Sequence, residues 1–586
     1  MEFTSIKRPR NVGWVRAAAL LYGDWGTSKA YVIGIGFALA GYAALPHLLA
    51  VVLLTAIVGI NYIWVCKCFP NGGGVYSAAR VHSQKLAVLG ALLLTADFVV
   101  TASLSCLEAF HYFGFPSEDA RRIAIFAIII IGIMNAYGPK FTGNLAIYLA
   151  FPTVVLIIVL LIFGVPHITF DHLQKPQGGI LHNWMLFAGM ILALSGVEAA
   201  ASTTGVMQLD AGSTYERPQI ARTATRAVMV VMIEVCVATA LLAFLTLSTP
   251  GLEGGEYKEA MIRHLGEVYV GEWFGVAIGV VIALLLLSAV NTAINGIISV
   301  VYVMAHDGEL PKTFTYLNGH GVPWLALILA TALPVLVLEI ARDVSMLASL
   351  YAIGVVGAIT INLGSTAMNQ SLSLKRYQRY FMGATAILLL LIWITIAVEK
   401  QSALVFILFF TVAGFIARGY ALRKKSAESL DLVSANEEEW KTASLPGPED
   451  TYEESGQSIL VSVRGVTPAL KFAVEEARLR RARLYVLYIK EVAVQVQIHP
   501  RWQDDADASK VFKEISQIAK GVPLVPLFAF GFNPAELILD TSATLGVDIL
   551  ILGGSARNSL LKILRGNVVE EVTRNLPENI QLIIYS

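Results

Sequence analysis

The chain has 586 residues, 56% of them hydrophobic and only 15% charged, with zero formal net charge and a mean hydropathy of +0.65. That composition excludes an ordinary soluble globule, and the absence of a positive excess argues against a nucleic-acid partner. The four cysteines, Cys66, Cys68, Cys106 and Cys236, have no spacing suited to a metal or a disulfide framework, so Cys66 and Cys68 read as packing at the end of an apolar run.

The first residues, "MEFTSIKRPRNVGWVR", lack the short apolar core of a cleavable signal, so the first apolar segment is expected to enter the membrane itself. Runs near the ~20 residues that cross a bilayer recur as far as residue 418. The spans expected are 17–43, 47–66, 86–110, 122–137, 144–165, 181–206, 226–248, 271–303, 323–341, 344–366, 381–398 and 402–418, twelve in all. Most lysines and arginines, among them Arg10, Arg16, Lys67, Arg80, Arg222, Arg379 and Arg423, fall on one side of these spans. The positive-inside rule places that side, and with it both termini, in the cytoplasm, as an even number of crossings requires.

Three spans carry charge where hydrocarbon should exclude it. In the first, Asp24 and Lys29 stand among Gly23, Gly26, Thr27 and Ser28. A helix interrupted there would expose carbonyl oxygens and the negative end of a half-helix dipole, which suit a dehydrated monovalent cation. Close helix packing would account for the glycines but not for Asp24. In the third, "LLLTADFVVTASLS" sets Asp97, Thr101 and Ser105 at i, i+4 and i+8, a stripe of oxygens along one helix face. In the sixth, "ALSGVEAAASTTG" puts Ser195 and Glu198 three apart, beside Gly196. Carboxylates inside a membrane cost several kcal/mol unless paired or protonated, so each is a candidate functional group. Glu234 and Glu339 read as either glue between helices or transport groups, and His306, in "AHDGELP", as a loop or capping residue.

Past residue 418 the chain turns polar. Residues 1–418 are read as a transmembrane transporter domain, 419–456 as a linker with room for one amphipathic helix, and 457–586 as a cytoplasmic domain. In the last, the apolar runs "SILVSV", "RLYVLYI", "VPLVPLFAF", "VDILILGG" and "QLIIYS" alternate with helical stretches, which implies an α/β domain built on a parallel sheet.

Two resemblances add to this reading. "YGDWGTSKAY" is similar to the "YGDIGTSPLY" signature of KUP-type potassium–proton symporters, and "FPNGGGVYSAARVHSQKLAVLGALLLTADFVVTASLS" and "SGVEA" resemble matching segments of KUP/KimA-type transporters. This implies an all-α membrane protein of the amino acid–polyamine–organocation (APC) superfamily, with twelve transmembrane helices and the inverted 5+5 repeat of the LeuT/APC fold. It implies a transporter rather than an enzyme, taking up potassium with protons across the bacterial inner membrane by alternating access. Asp24, Tyr31, Asp97, Thr101, Ser105, Ser195 and Tyr351 would hold potassium, and Glu198 would carry the proton. Phe98 stands where the family has a tyrosine, and Lys29 where it has proline or an aliphatic residue. The Lys29 ammonium would replace a bound cation, pair with an acid, or reach for lipid headgroups, and it keeps a proton-coupled amino-acid permease open as the alternative.

The second resemblance lies in "GGSARNSLLKILRGNVVEEV", which is similar to the phosphate loop of universal stress protein domains, of form G-x2-G-x9-G-[ST]. It implies nucleotide contacts at Gly553, Ser555, Gly566 and Asn567 and a regulatory cyclic di-AMP, ATP or AMP. Ala556 replaces the second glycine, Asn567 the hydroxyl residue, and Arg464 an expected acid, so a ligand-free dimerisation module stays open beside it. Pairing of the terminal strand "QLIIYS" would make the protein a homodimer.

Overall fold

Long runs without charge fold into long helices because each satisfies its own backbone hydrogen bonds. The structure, a computed structural model, describes residues 10–435 and 457–585 apart from residues 11, 71, 73, 138–141, 192–195, 214–217, 253–258, 319, 342–343, 492–504, 520, 532–533, 554–567 and 578–579. The first expected span is two helices, α1 (Trp14–Trp25) and α2 (Ser28–Ala40), interrupted at Gly26 and Thr27. There follow α3 (Leu45–Cys68), the short α4 (Val75–Arg80), α5 (Gln84–Tyr112), α6 (Ser117–Asn135) and α7 (Thr142–Gly164). The sixth span is likewise split, into α8 (Ile180–Gly189) and α9 (Ala199–Thr203). Then come α10 (Ala221–Ser248), α11 (Met261–Tyr269), α12 (Glu272–His306), α13 (Trp324–Ile340), α14 (Val344–Met368), α15 (Arg376–Glu399) and α16 (Gln401–Ala435).

Among the described residues, eight helices are long and apolar enough to cross a membrane: α3, α5, α7, α10, α12, α14, α15 and α16. Their burial differs sharply. The apolar window of α5 is 89% buried and that of α16 only 17%, so α5 is the central post and α16 lies at the periphery. Helices α4, α6, α12, α13 and α14 all pack on α5. Helix α16 continues to Ala435, well into the stretch read as linker.

At one end of the bundle, the 305–311 turn is pinned by charge. Asp307 accepts hydrogen bonds from Tyr76 Oη and Arg80 Nη1, each at 2.8 Å, and Glu309 pairs with Arg418. His306 packs on Tyr302. At the other end, Arg121 of α6 pairs with Glu339 of α13 at 2.8 Å.

The C-terminal domain follows its sequence pattern closely. Strands β1 (Ser458–Val463), β2 (Arg483–Glu491), β3 (Leu524–Gly531), β4 (Ile549–Gly553) and β5 (Gln581–Tyr585) form one parallel sheet in the order β3-β2-β1-β4-β5. Helices α17 (Pro468–Arg480), α18 (Ala506–Ile518), α19 (Pro534–Leu545) and α20 (Val568–Asn575) alternate with the strands. Helix α17 starts where its chemistry demands: the Thr467 side chain caps Leu470 N and proline takes the first helical position. The central strand is buried on both faces, with Val461 in one apolar cluster and Leu460 in the other. Leu460→Ala removes side-chain volume from a fully buried site, so thermal unfolding of this domain should report a loss of about 2–5 kcal/mol.

Candidate functional site

Asp24 lies in the last turn of α1 and is 4% exposed. The interruption after it is tight rather than open. Gly26 and Thr27 keep right-handed helical torsions, Thr27 Oγ1 donates to Asp24 O at 2.6 Å, and Ser28 Oγ donates to Trp25 O at 2.7 Å. The carbonyls expected to be freed for a cation are therefore met by the chain's own hydroxyls, which corrects the sequence expectation. Each carbonyl still has a second lone pair. Glycine at 26 is required, because a Cβ there would stand 2.6 Å from Tyr22 O.

The second split helix meets the first at Gly196. This residue has φ +84°, a left-handed torsion suited to glycine, and a Cβ on it would fall 2.4 Å from Trp25 N and 2.6 Å from the Asp24 carbonyl carbon. Backbone thus lies on backbone, and Glu198 is carried to within electrostatic reach of Asp24. Glu198 Oε1 accepts from Gly196 N at 3.1 Å, while Oε2 is buried with no hydrogen-bond partner among the described residues. Ser195 lies outside the described residues.

Helix α5 supplies the third acid. Asp97 is fully buried and neither carboxyl oxygen has a hydrogen-bond partner among the described residues. Tyr351 and Glu198 lie close to it without hydrogen-bond geometry, and Asp24 is within electrostatic reach. Helix α14 comes this near because of Gly354, where a Cβ would sit 3.1 Å from Asp97 N. One turn earlier on α14, Tyr351 is fully buried, its hydroxyl also unpartnered, within reach of Asp97, Glu198, Tyr31 and Asp24. Along α5, Thr101 and Ser105 are buried on the face of Asp97, and Thr101 Oγ1 donates to Asp97 O at 2.9 Å. The structure therefore gathers Asp24, Tyr31, Asp97, Glu198 and Tyr351 into one neighbourhood from α1, α2, α5, the start of α9 and α14, with Thr101 and Ser105 continuing along α5. Sequence reasoning missed Tyr62 of α3, fully buried beside Glu198 and Asp97 and accepting from Asn362 Nδ2 at 3.3 Å. Its signal was a polar pair, Asn61 and Tyr62, inside an otherwise apolar span.

Lys29 points away from this cluster. Its Nζ lies 2.6 and 2.7 Å from the two carboxyl oxygens of Glu234, donates to Tyr22 Oη at 2.9 Å, and sits 4.7 Å from the Tyr22 ring centre. Of the three roles open to the ammonium, pairing with an acid is the one realised, and Glu234 is its partner. Among the described residues, no lysine or arginine pairs with Asp24, Asp97 or Glu198, and no three His, Cys, Asp or Glu side chains converge to hold one metal ion. The arrangement is three buried carboxyl groups flanked by hydroxyls, open to compensation by cations or protons from outside.

In the C-terminal domain, Gly553 ends β4 beside β1, at the switch point of the sheet where α/β domains bind ligands. Ser555, Gly566 and Asn567 lie outside the described residues. Strand β5 is one of the sheet's two edges, β3 being the other, and its Ile584 and Tyr585 are exposed.

Comparison with known proteins places these features. The profile of the family described as amino acid permease matches residues 12–426, and that of the universal stress protein family matches residues 459–580. The chain is similar to the potassium transporter KimA of Bacillus subtilis, 23% identical over 60% of this chain and 60% of that protein. It is also similar to a probable amino-acid permease of Schizosaccharomyces pombe, 26% identical over 44% of this chain and 52% of that protein. The chain thus spans less than two thirds of the length of these relatives.

Two substitutions test the geometry. Gly196→Ala forces a Cβ onto the Asp24–Trp25 backbone, so transport should fall to background and the thermal midpoint of the purified protein should drop. Lys29→Met strands Glu234 in an apolar setting and should cost about 3–5 kcal/mol, whereas adding Glu234→Met should restore most of the loss. A double-mutant cycle on thermal stability reads this coupling.

Proposed function

Because this chain belongs to the amino acid permease family, we propose that it is a secondary transporter that takes up potassium with protons by alternating access. Membership makes it an integral membrane permease with a C-terminal universal stress protein domain. The observation that carries the ionic reading is the charge of the cluster: three buried carboxyl groups with no lysine or arginine paired to them among the described residues. A neutral amino acid brings a carboxylate with its ammonium and so no net charge to balance such a site, whereas a monovalent cation balances it. The similarity to a potassium transporter supports the same choice. In this reading Asp24, Tyr31, Asp97, Thr101, Ser105, Ser195 and Tyr351 line the potassium path, and Glu198 exchanges the proton.

The architecture follows the same logic. Twelve crossings result when α1 with α2, and α8 with α9, count as one interrupted span each, joined by α3, α5, α6, α7, α10, α12, α13, α14, α15 and α16. The interrupted spans are then the first and the sixth, equivalent positions of two inverted five-helix repeats, with binding at their meeting point. The membrane domain occupies 1–418, the linker 419–456 and the cytoplasmic domain 457–586, with both termini in the cytoplasm and the protein in the bacterial inner membrane. Pairing through the β5 edge makes a homodimer, and cyclic di-AMP, ATP or AMP acts at Gly553, Ser555, Gly566 and Asn567.

Expression in a bacterium lacking potassium uptake should restore growth at low potassium. Failure to rescue, together with uptake of a labelled amino acid, would overturn the ionic reading. Glu198→Gln should abolish accumulation driven by a pH gradient while leaving a folded protein. Truncation at Gly456 should convert a dimer into a monomer by light scattering in detergent.

A further inference from the structure

One buried acid of the membrane domain has no part in this account. Glu108 lies on α5, eleven residues beyond Asp97, so Asp97, Thr101, Ser105 and Glu108 advance by three helical turns along one face. Its side chain is fully buried, and neither carboxyl oxygen has a hydrogen-bond partner among the described residues. The four-residue spacing of the stripe ends at Ser105, and Glu108 follows it after three residues, which hides it from an i+4 pattern.

The surroundings of Glu108 lead outward. His111, on the next turn, is buried, with its Nε2 3.3 Å from Glu259 Oε2. Glu259 precedes α11, keeps 36% of its side chain exposed, and accepts from Ser117 Oγ at 3.0 Å. Its charge reaches Glu108. Glu108 in turn is within electrostatic reach of Tyr112, whose hydroxyl donates at 2.8 Å to Ala30 O, in the first turn of α2 beyond the interruption. The remaining charged groups here are engaged elsewhere. Arg263 of α11 bridges Glu267 and the Tyr112 carbonyl, Arg121 of α6 holds Glu339 of α13, Arg122 faces Glu118, and His264 faces Glu267. Among the described residues, none of these cations pairs with Glu108.

We infer that Glu108 is an outer proton-relay carboxyl, joining the solvent-touching His111–Glu259 pair to the acidic cluster. The inference rests on the proton-coupled reading of that cluster. Potassium needs a shell of several oxygens, and Glu108 stands as one carboxyl between an imidazole and a phenol ring; a proton needs only one acceptor. In the relay, an N–H bond of protonated His111, or the O–H bond of protonated Glu259, breaks as an O–H bond forms on Glu108. Asp97 is three helical turns away, ~16 Å of rise, so the neutral acid passes its proton inward through the Ser105 and Thr101 hydroxyls and bridging water, each oxygen taking one proton as it releases another, and the Glu108 carboxylate is restored for the next cycle.

The test uses the full-length protein in potassium-free liposomes, with rubidium-86 as the probe and the outside pH varied. Glu108→Gln should lower pH-driven uptake by roughly tenfold or more and flatten its dependence on outside pH. Equilibrium rubidium binding in detergent should stay within about twofold of the parent value. Glu259→Gln, at a partly exposed site that folding tolerates, should shift the pH profile in the same sense. Parent-like uptake and pH dependence in both variants overturns the relay, and so does loss of rubidium binding in Glu108→Gln. Absence of pH-driven uptake in the parent protein would instead count against the proton-coupled reading itself.

Discussion

Charge balance among acids buried inside the bundle governs this membrane domain. Asp24, Asp97 and Glu198 are buried together, and no described lysine or arginine pairs with them. Each uncompensated carboxylate in such a setting costs several kcal/mol, far more than a surface acid. The acids are tolerable only if something mobile supplies positive charge. That condition turns a structural liability into a binding site and makes occupancy and stability two aspects of one equilibrium.

Much of the helix packing serves to bring the acids together. Gly196 lets the second split helix lie against the Asp24–Trp25 backbone, Gly26 leaves room for the Tyr22 carbonyl and ring, and Gly354 lets α14 approach Asp97. Lys29 is the exception that clarifies the rule. It stands five residues from Asp24, yet its ammonium is clamped by Glu234 and Tyr22. Pairing with Glu234 thereby keeps the Lys29 ammonium from balancing the cluster.

The legible parts of the sequence were those with a local signature. Alternating apolar runs located all five strands of the C-terminal sheet, and glycines around Asp24 located the first interruption, because both patterns act within a few residues. Asp97, Thr101 and Ser105 were legible as a stripe because helix periodicity places them on one face. Partners distant along the chain were not. Nothing near Lys29 announces Glu234, more than two hundred residues away, and Tyr62 joins the cluster only because α3 packs beside it. The first interruption was also expected to leave its carbonyls free, whereas the Thr27 and Ser28 hydroxyls fold back onto them. That choice depends on side-chain torsions, which composition does not encode.

The central claim is that external cations and protons share the task of balancing the three acids. It is tested most directly by adding potassium to the purified, lightly buffered protein and following pH with an indicator dye. The account predicts that potassium displaces protons from the other acids while Glu198 keeps its own, so that Asp97→Asn lowers the release and Glu198→Gln leaves it in place. Loss of the release in Glu198→Gln, or potassium addition without any release but a proton change on adding an amino acid, would contradict it.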